Sequence, residues 1–280
     1  MSSLNFATVT LVLWMGTLTT PVAVSGHRLL LLGAMVLLML GNRIGQSIAP
    51  GQMETGRQRL HLTPGARHLL AYSFYLFSVY LAALANPACM LWAIPLVVFS
   101  ALHSRSPQTA LAAFYLGTGV YCAAMVGVAL AGHPQPLLWP GLPVALLITG
   151  TEWFDREATG TMPPRPNHLY AAIALVVAAV VALWLLIYQA LSARNGWAFA
   201  VSLPLLLLLT SRLRPLAKEF SAEAYEPLRP WVHAAPLLGC ALVALAAQQQ
   251  ALSIAVALFF LCVVLWLRLR DSADPPQRLT

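Results

Sequence analysis

Three of the nine acidic residues lie within six positions of one another, and they are the side chains of this chain best suited to chemistry. They are Glu152, Asp155 and Glu157. Because Glu152 and Asp155 are three residues apart, a helix running through them would carry both carboxylates on one face. Carboxylates placed this way near a membrane surface could bind Mg²⁺, which takes few carboxylates together with phosphate oxygens of a substrate. The alternative interpretation is a solvated helix end in which Arg156 and Arg165 pair with the acids.

A second candidate site is the polar, glycine-punctuated segment 42–66. It begins with Asn42 and Arg43 and also carries Arg57 and Arg59. The guanidinium group presents a fork of donors that matches phosphate oxygens, so these arginines could clamp a phosphate or diphosphate. The alternative is an ordinary basic loop on the cytoplasmic side of a membrane.

A membrane domain is expected to position both segments. Hydrophobic residues make up 59% of the chain and charged residues only 9%, well below the roughly 25% of soluble proteins. No Asp, Glu, Lys or Arg lies between Arg67 and Arg105, or between Arg229 and Arg268. A helix needs about 20 apolar residues to cross a bilayer, so each such run can hold one or two crossings. The sequence therefore predicts an all-α, polytopic membrane bundle of nine to ten transmembrane helices, with spans at 6–24, 28–48, 67–85, 88–102, 108–131, 136–151, 168–192, 196–211, 231–247 and 251–267.

The basic residues lie mostly on alternate loops, and this pattern predicts the orientation of the chain. The longest loops, 43–66, 152–167 and 212–230, are all basic. Basic residues near helix ends stay in the cytoplasm, so these loops and both termini are expected on the cytoplasmic side of a bacterial inner membrane. The formal charge of +7 then reflects topology, and no nucleic-acid partner is expected. We predict a single membrane domain, 1–270, followed by a short polar tail, 271–280.

Two further features of the sequence carry less information about function. The loop 212–230 has Leu216, Phe220, Ala224 and Leu228 at every fourth position, which predicts a short amphipathic helix at the membrane interface, either a lid or a connector. The seven histidines and four cysteines contain no H-x-x-x-H or C-x-x-C pair. Haem, zinc and disulfides are therefore not expected.

The order of these elements resembles the UbiA superfamily of intramembrane prenyltransferases. Asp155-Arg-Glu-Ala-Thr-Gly160 resembles the tail of that family's second aspartate-rich motif, commonly written G-D-R-x-x-G. The resemblance implies a helical bundle around a central cavity, in which Mg²⁺ and a prenyl diphosphate bind beside a lipophilic or aromatic acceptor. It implies that Glu152 and Asp155 are catalytic, that Glu152, Asp155 and Glu157 bind the metal, and that Asn42, Arg43, Arg57, Arg59 and Arg156 contact the diphosphate.

The chain departs from the family in the first motif, N-D-x-x-D-x-x-x-D. Asn42 matches the leading Asn, but Arg43, Gln46 and Pro50 stand at the three aspartate positions. In a second register, residues 151–159 resemble the first motif in the form N-D-Y-F-D-R-E-x-D, although that register leaves too few helices downstream. If the first motif is lost, arginines of the first loop would neutralise the diphosphate directly.

Three functional hypotheses follow from the sequence. The leading one is a UbiA-like membrane enzyme that transfers an isoprenoid group from a prenyl diphosphate to a lipophilic or aromatic acceptor. The second is a catalytically inactive UbiA-like protein that binds lipid or serves as an assembly subunit of a membrane complex. The third is a ten-helix transporter; because the charge-free runs contain no Asp, Glu, Lys or Arg that would couple transport to ions, its substrate would be a neutral small molecule.

Overall fold

The described part of the chain is helical throughout. The computed structural model describes residues 25–46, 63–105, 110–130, 141–159 and 166–192, together with short helical pieces between 203 and 242. Six long helices account for nearly all of the residues described up to 192, which confirms the all-α prediction. They are α1 (Ser25–Gln46), α2 (Pro64–Ala85), α3 (Pro87–Arg105), α4 (Ala110–Ala129), α5 (Gly141–Thr159) and α6 (Pro166–Ser192).

Five of these six helices, α1 to α4 and α6, are long and apolar enough to cross a membrane. They coincide with the predicted spans 28–48, 67–85, 88–102, 108–131 and 168–192 to within a few residues. The protein is thus an integral membrane protein with several apolar helices. The predicted spans 6–24 and 251–267, and most of 196–211 and 231–247, lie outside the described residues, so the total of nine to ten helices stays a prediction.

The remaining helix, α5, ends at a different residue from the one that the sequence predicts. The apolar run 136–151 predicted a span ending before Glu152, with residues 152–167 in a loop. Instead α5 begins at Gly141 and continues to Thr159. Its last turns are polar, and α5 is not among the five helices apolar enough to span a membrane. The backbone hydrogen bonds of a helix do not depend on hydropathy, and Glu, Arg and Ala favour the helix.

A single residue, Asn86, ends α2 and starts α3. Its backbone is extended, and its N–H donates to the carbonyl oxygen of Ala82 at 3.1 Å. Its side-chain oxygen accepts a hydrogen bond from the N–H of Ala88 at 2.9 Å and so caps the first turn of α3. The amide nitrogen donates to the carbonyl oxygen of Leu130, just beyond α4, at 3.2 Å. Pro87 follows at the first position of α3, where its missing N–H leaves no helical bond unmade.

The chain divides into two compact units, Met1–Ala145 and Leu146–Thr280. Within the first, α1 packs mainly on α2 and α3 mainly on α4. At Gly41 the backbone of α1 lies so close to α2 that an added Cβ would be 2.6 Å from the ring of Tyr75. Helices in lipid associate through close packing because lipid is as apolar as the helices themselves, and small residues make such packing possible. The predicted single membrane domain, 1–270, stays a prediction.

Within the second unit, Gly150 sets the contact between α5 and α6. A Cβ added there would lie 2.9 Å from the carbonyl oxygen of Ala172 and 3.0 Å from the backbone nitrogen of Val176. These are backbone atoms, which cannot move without displacing α6. Gly150 is two residues before Glu152, so the same contact fixes the position of the acidic segment.

We expect Gly150→Ala to lower the free energy of unfolding by about 1–3 kcal/mol, because overpacking a helix contact forces the backbone apart. The matched control is Gly65→Ala in α2, where an added Cβ meets nothing within 4 Å. There the change should be neutral or stabilising by about 0.4–1 kcal/mol. Thermal unfolding of both variants in detergent, followed by circular dichroism, measures the difference. Equal stability of the two variants would contradict the contact.

Candidate functional site

The acidic segment occupies the C-terminal half of α5, where aromatic side chains hold it against the protein. Phe154 is almost completely buried and Trp153 nearly so. The hydroxyl of Thr151 donates to the carbonyl oxygen of Leu147 at 2.7 Å, which satisfies a polar group within the helix itself. The carboxylates of this segment therefore lie on a helix and not in the predicted loop 152–167, which meets the condition under which Glu152 and Asp155 share one face.

The first of three ion pairs joins Glu152 to Arg156, one helical turn later. Both Nε and Nη2 of Arg156 donate to Oε1 of Glu152, at 3.1 and 2.7 Å. Each side chain is only 19% exposed. The pair combines an i,i+4 spacing with charge-assisted hydrogen bonds, and this geometry is favourable on a helix.

The second pair joins α5 to a distant part of the sequence. Oδ1 of Asp155 lies 3.4 Å from Nε of Arg229. The aspartate side chain is 15% exposed and the arginine 49% exposed. Arg229 was not among the residues predicted for the site; it lies near the end of the loop 212–230, next to a charge-free run.

The third pair joins α5 to the first turn of α6. Nδ1 of His168 lies 2.7 Å from Oε1 of Glu157, which is 17% exposed. The ring of His168 also contacts that of Trp153, with centroids 5.6 Å apart. The seven histidines contain no pair at ligand spacing, and no spacing rule links positions eleven residues apart across a helix break. Only the fold brings His168 to the acidic segment.

Each predicted metal ligand thus pairs with a different basic side chain. Among the residues that the structure describes, no group of three or more His, Cys, Asp and Glu is arranged to hold a metal ion. Glu152, Asp155 and Glu157 as placed do not fit a magnesium site, because their oxygens are directed to three separate basic side chains, Arg156, Arg229 and His168. The magnesium site stays a prediction.

The predicted partner Arg165 lies outside the described residues. Arg156, which the resemblance had assigned to the diphosphate, is part of this cluster on α5, together with Arg229 and His168. We call these six side chains, Glu152, Asp155, Arg156, Glu157, His168 and Arg229, the ionic cluster. Formally it balances three acids against two arginines and one histidine that is charged only when protonated.

The residues predicted on the first loop belong to the other compact unit. Asn42 is buried at the end of α1, and its Oδ1 accepts a hydrogen bond from the hydroxyl of Tyr75 at 2.9 Å. Arg43 is exposed. Arg57 and Arg59 lie outside the described residues. Their predicted role in binding a diphosphate stays a prediction.

Asn42 also lines a small cavity between α1, α3 and α4, which is mostly apolar with a few polar side chains. The cavity has a volume of about 10 Å³, and Ser100 and His103 are among its lining residues, which is close to the space that one water molecule needs. His103 is buried, and its Nδ1 lies 2.8 Å from the carbonyl oxygen of Ala112. A carbonyl oxygen can only accept, so this nitrogen carries the hydrogen. The sequence analysis missed this group because serine and histidine inside apolar runs have no distinctive spacing.

Comparison of the chain with protein-family models, with curated proteins and with solved structures gives no match. The fold and the sequence therefore define the protein only as a class. It is an all-α integral membrane protein that carries the ionic cluster.

The pair between Asp155 and Arg229 can be measured by a double-mutant cycle. We expect Asp155→Asn and Arg229→Gln each to destabilise the protein, with a coupling free energy of about 0.5–1 kcal/mol, the upper range for an ion pair with one exposed partner. Chemical unfolding in detergent micelles gives the four free energies.

The control for that cycle is the pairing of Asp155→Asn with Ser73→Ala, because Ser73 bonds only to Leu69 of its own helix in the described structure. The coupling free energy of this control pair should be zero to within about 0.3–0.5 kcal/mol. A coupling of zero for Asp155 and Arg229 would mean that the two side chains do not interact in solution.

Proposed function

We propose that the protein is a UbiA-like membrane transferase that moves an isoprenoid group from a prenyl diphosphate to a lipophilic or aromatic acceptor. The observation that carries the proposal is the ionic cluster. In a chain with 9% charged residues, three carboxylates of 15–19% exposure lie together on one helix with basic partners. Removing charges from water is unfavourable, and where ionisable groups are sparse and partly buried they commonly mark a functional site.

The cluster offers a diphosphate two guanidinium groups that are already held in position. Arg156 and Arg229 currently neutralise Glu152 and Asp155. A diphosphate carries more negative charge than a carboxylate and accepts paired hydrogen bonds from guanidinium forks. We therefore expect the diphosphate to compete with both carboxylates for these arginines.

The transfer itself requires charge neutralisation at the leaving group. The allylic C–O bond breaks with its electron pair going to the diphosphate, the acceptor's electron pair forms the new bond to carbon, and the acceptor then loses a proton. Basic side chains aimed at the departing oxygens stabilise the transition state, because negative charge develops there. A carboxylate released by its arginine would be available to take the proton, and Asp155 is the group that we assign to this role.

We expect geranylgeranyl diphosphate to bind the detergent-purified full chain, and Arg156→Gln and Arg229→Gln each to weaken binding about tenfold, the usual effect of removing one charge-assisted hydrogen bond. Isothermal titration calorimetry measures this directly. Ser73→Ala is the control, since the side chain is far along the sequence and bonds within its own helix. Unchanged binding in both arginine variants would contradict the role of the cluster.

The same titration in Mg²⁺ and in EDTA tests the predicted magnesium site. Binding that requires Mg²⁺ and is lost in Glu152→Ala would support Glu152, Asp155 and Glu157 as metal ligands. Binding that is independent of metal would support recognition by the arginines alone.

We expect Asp155→Asn to abolish transfer. Transfer is followed as release of inorganic diphosphate from the prenyl diphosphate, with a bacterial lipid extract supplied as the source of acceptor. Full activity in this variant would contradict the proposed enzyme, while diphosphate binding should persist because the arginines remain.

A second candidate function is a catalytically inactive lipid-binding or assembly subunit. It is favoured by the observation that each of the three carboxylates already has a basic partner, as expected for a cluster whose role is structural. In that case Asp155→Asn would lower stability without affecting any turnover, and the protein would co-purify with a membrane partner. An isolated, active chain would exclude this candidate.

A further inference from the structure

The outward faces of α2 and α3 form a long apolar groove within the first compact unit. Its volume is about 840 Å³, within the range of specific ligand sites. The described residues that line it are mostly aliphatic and aromatic, with Leu76, Val79, Ile94 and Val98 along its length. Leu76 and Val98 are exposed on the surface of spanning helices, so the groove opens towards lipid.

One end of the groove is cationic. Arg105, the last residue of α3, is exposed and lines the groove together with Tyr72. Its Nη2 donates to the hydroxyl of Tyr72, and its guanidinium carbon lies 5.6 Å from the centre of the tyrosine ring. Both contacts are to a neutral side chain, so the positive charge of Arg105 is oriented by Tyr72 and not neutralised by it.

The described part of this unit supplies no anion for that charge. Residues 25–46, 63–105 and 110–130 include Arg28, Arg43, Arg67 and Arg105, but no aspartate or glutamate. The described acidic residues all belong to the ionic cluster in the other unit. A negatively charged ligand therefore complements the end of the groove at Arg105.

The length of the groove indicates what kind of anion fits. Its lining on α2 runs from Tyr72 to Ala83, which corresponds to about 16 Å along a helix. One leaflet of the bilayer core is about 15 Å thick. A hydrocarbon chain that starts at the membrane surface beside Arg105 would thus lie against the groove over nearly its full length.

We propose that this groove binds one anionic phospholipid of the leaflet on the Arg105 side, predicted to be the cytoplasmic one. The phosphate lies at the guanidinium of Arg105 and the hydroxyl of Tyr72, and an acyl chain lies between α2 and α3. A helix from another protein would fill the apolar part but leave the arginine without an anion. This site is independent of the proposed transfer reaction and uses none of the ionic cluster.

The test measures lipid binding to the full-length protein in detergent by native mass spectrometry, with dioleoyl phosphatidylglycerol and dioleoyl phosphatidylcholine as probes. We expect the anionic lipid to bind the wild type roughly tenfold more tightly than the zwitterionic one, and Arg105→Gln to remove this preference. The matched control is Arg43→Gln, which removes one exposed arginine from the same unit without touching the groove. It should leave the preference intact.

A second pair of variants tests the apolar part. Val98→Trp fills the groove from α3 and should reduce binding of both lipids, whereas Leu111→Trp adds the same bulk to an exposed position of α4 that does not line the groove. The proposal is overturned if Arg105→Gln binds like the wild type, or if Arg43→Gln loses as much preference as Arg105→Gln. It is also overturned if the two tryptophan variants behave alike, since lipid would then only coat the protein non-specifically. A detergent extract of membrane proteins can also be added to the wild type. If neither lipid then binds, a protein is the occupant of the groove and the lipid proposal is overturned.

Discussion

The structure depends on one constraint, which is that the bilayer core offers no water to satisfy a polar group. Nearly all of the described backbone is helical, and in a helix the N–H and C=O groups form hydrogen bonds with each other. Hydroxyls follow the same rule: Thr151 and Ser73 each donate to a carbonyl one turn earlier in their own helix. Where a helix must end, as at Asn86, a single side chain bonds to both neighbouring segments. Polar groups are thus retained only where a partner is built in.

The same constraint applies to charged side chains, and the described parts of the two compact units differ in whether carboxylates accompany the basic residues. The described part of the first unit has arginines without carboxylates, whereas the second gathers its carboxylates on α5 with basic partners from α5, α6 and the helical piece at Arg229. Opposite charges that are paired within the protein hold it together. The printed contacts of Arg105 are to the neutral side chain of Tyr72, so its charge is available to an anionic lipid, which is the physical basis for assigning different partners to the two regions.

The sequence predicted the helices well, but their polar partners poorly. Hydropathy located α1 to α4 and α6 because apolar runs of this length have few other structures open to them. It failed at α5, where the apolar run stops at Thr151 but the helix continues to Thr159. The pair of Glu152 and Arg156 follows from i,i+4 spacing and could be read from the sequence. Arg229 and His168 could not, because their distances to α5 are set by packing, such as the contact at Gly150, which leaves no periodic signal.

The tight corner at Asn86 has a consequence for how the protein is made. With one residue between α2 and α3, the two helices cannot enter the bilayer as independent segments separated by a hydrated loop. They enter as a hairpin whose backbone polar groups at the turn are already bonded through Asn86, so the unsatisfied groups that would oppose insertion of the corner are few. The same corner fixes the spacing of α2 and α3 near Asn86, so the distance between the two helices that line the groove is set locally.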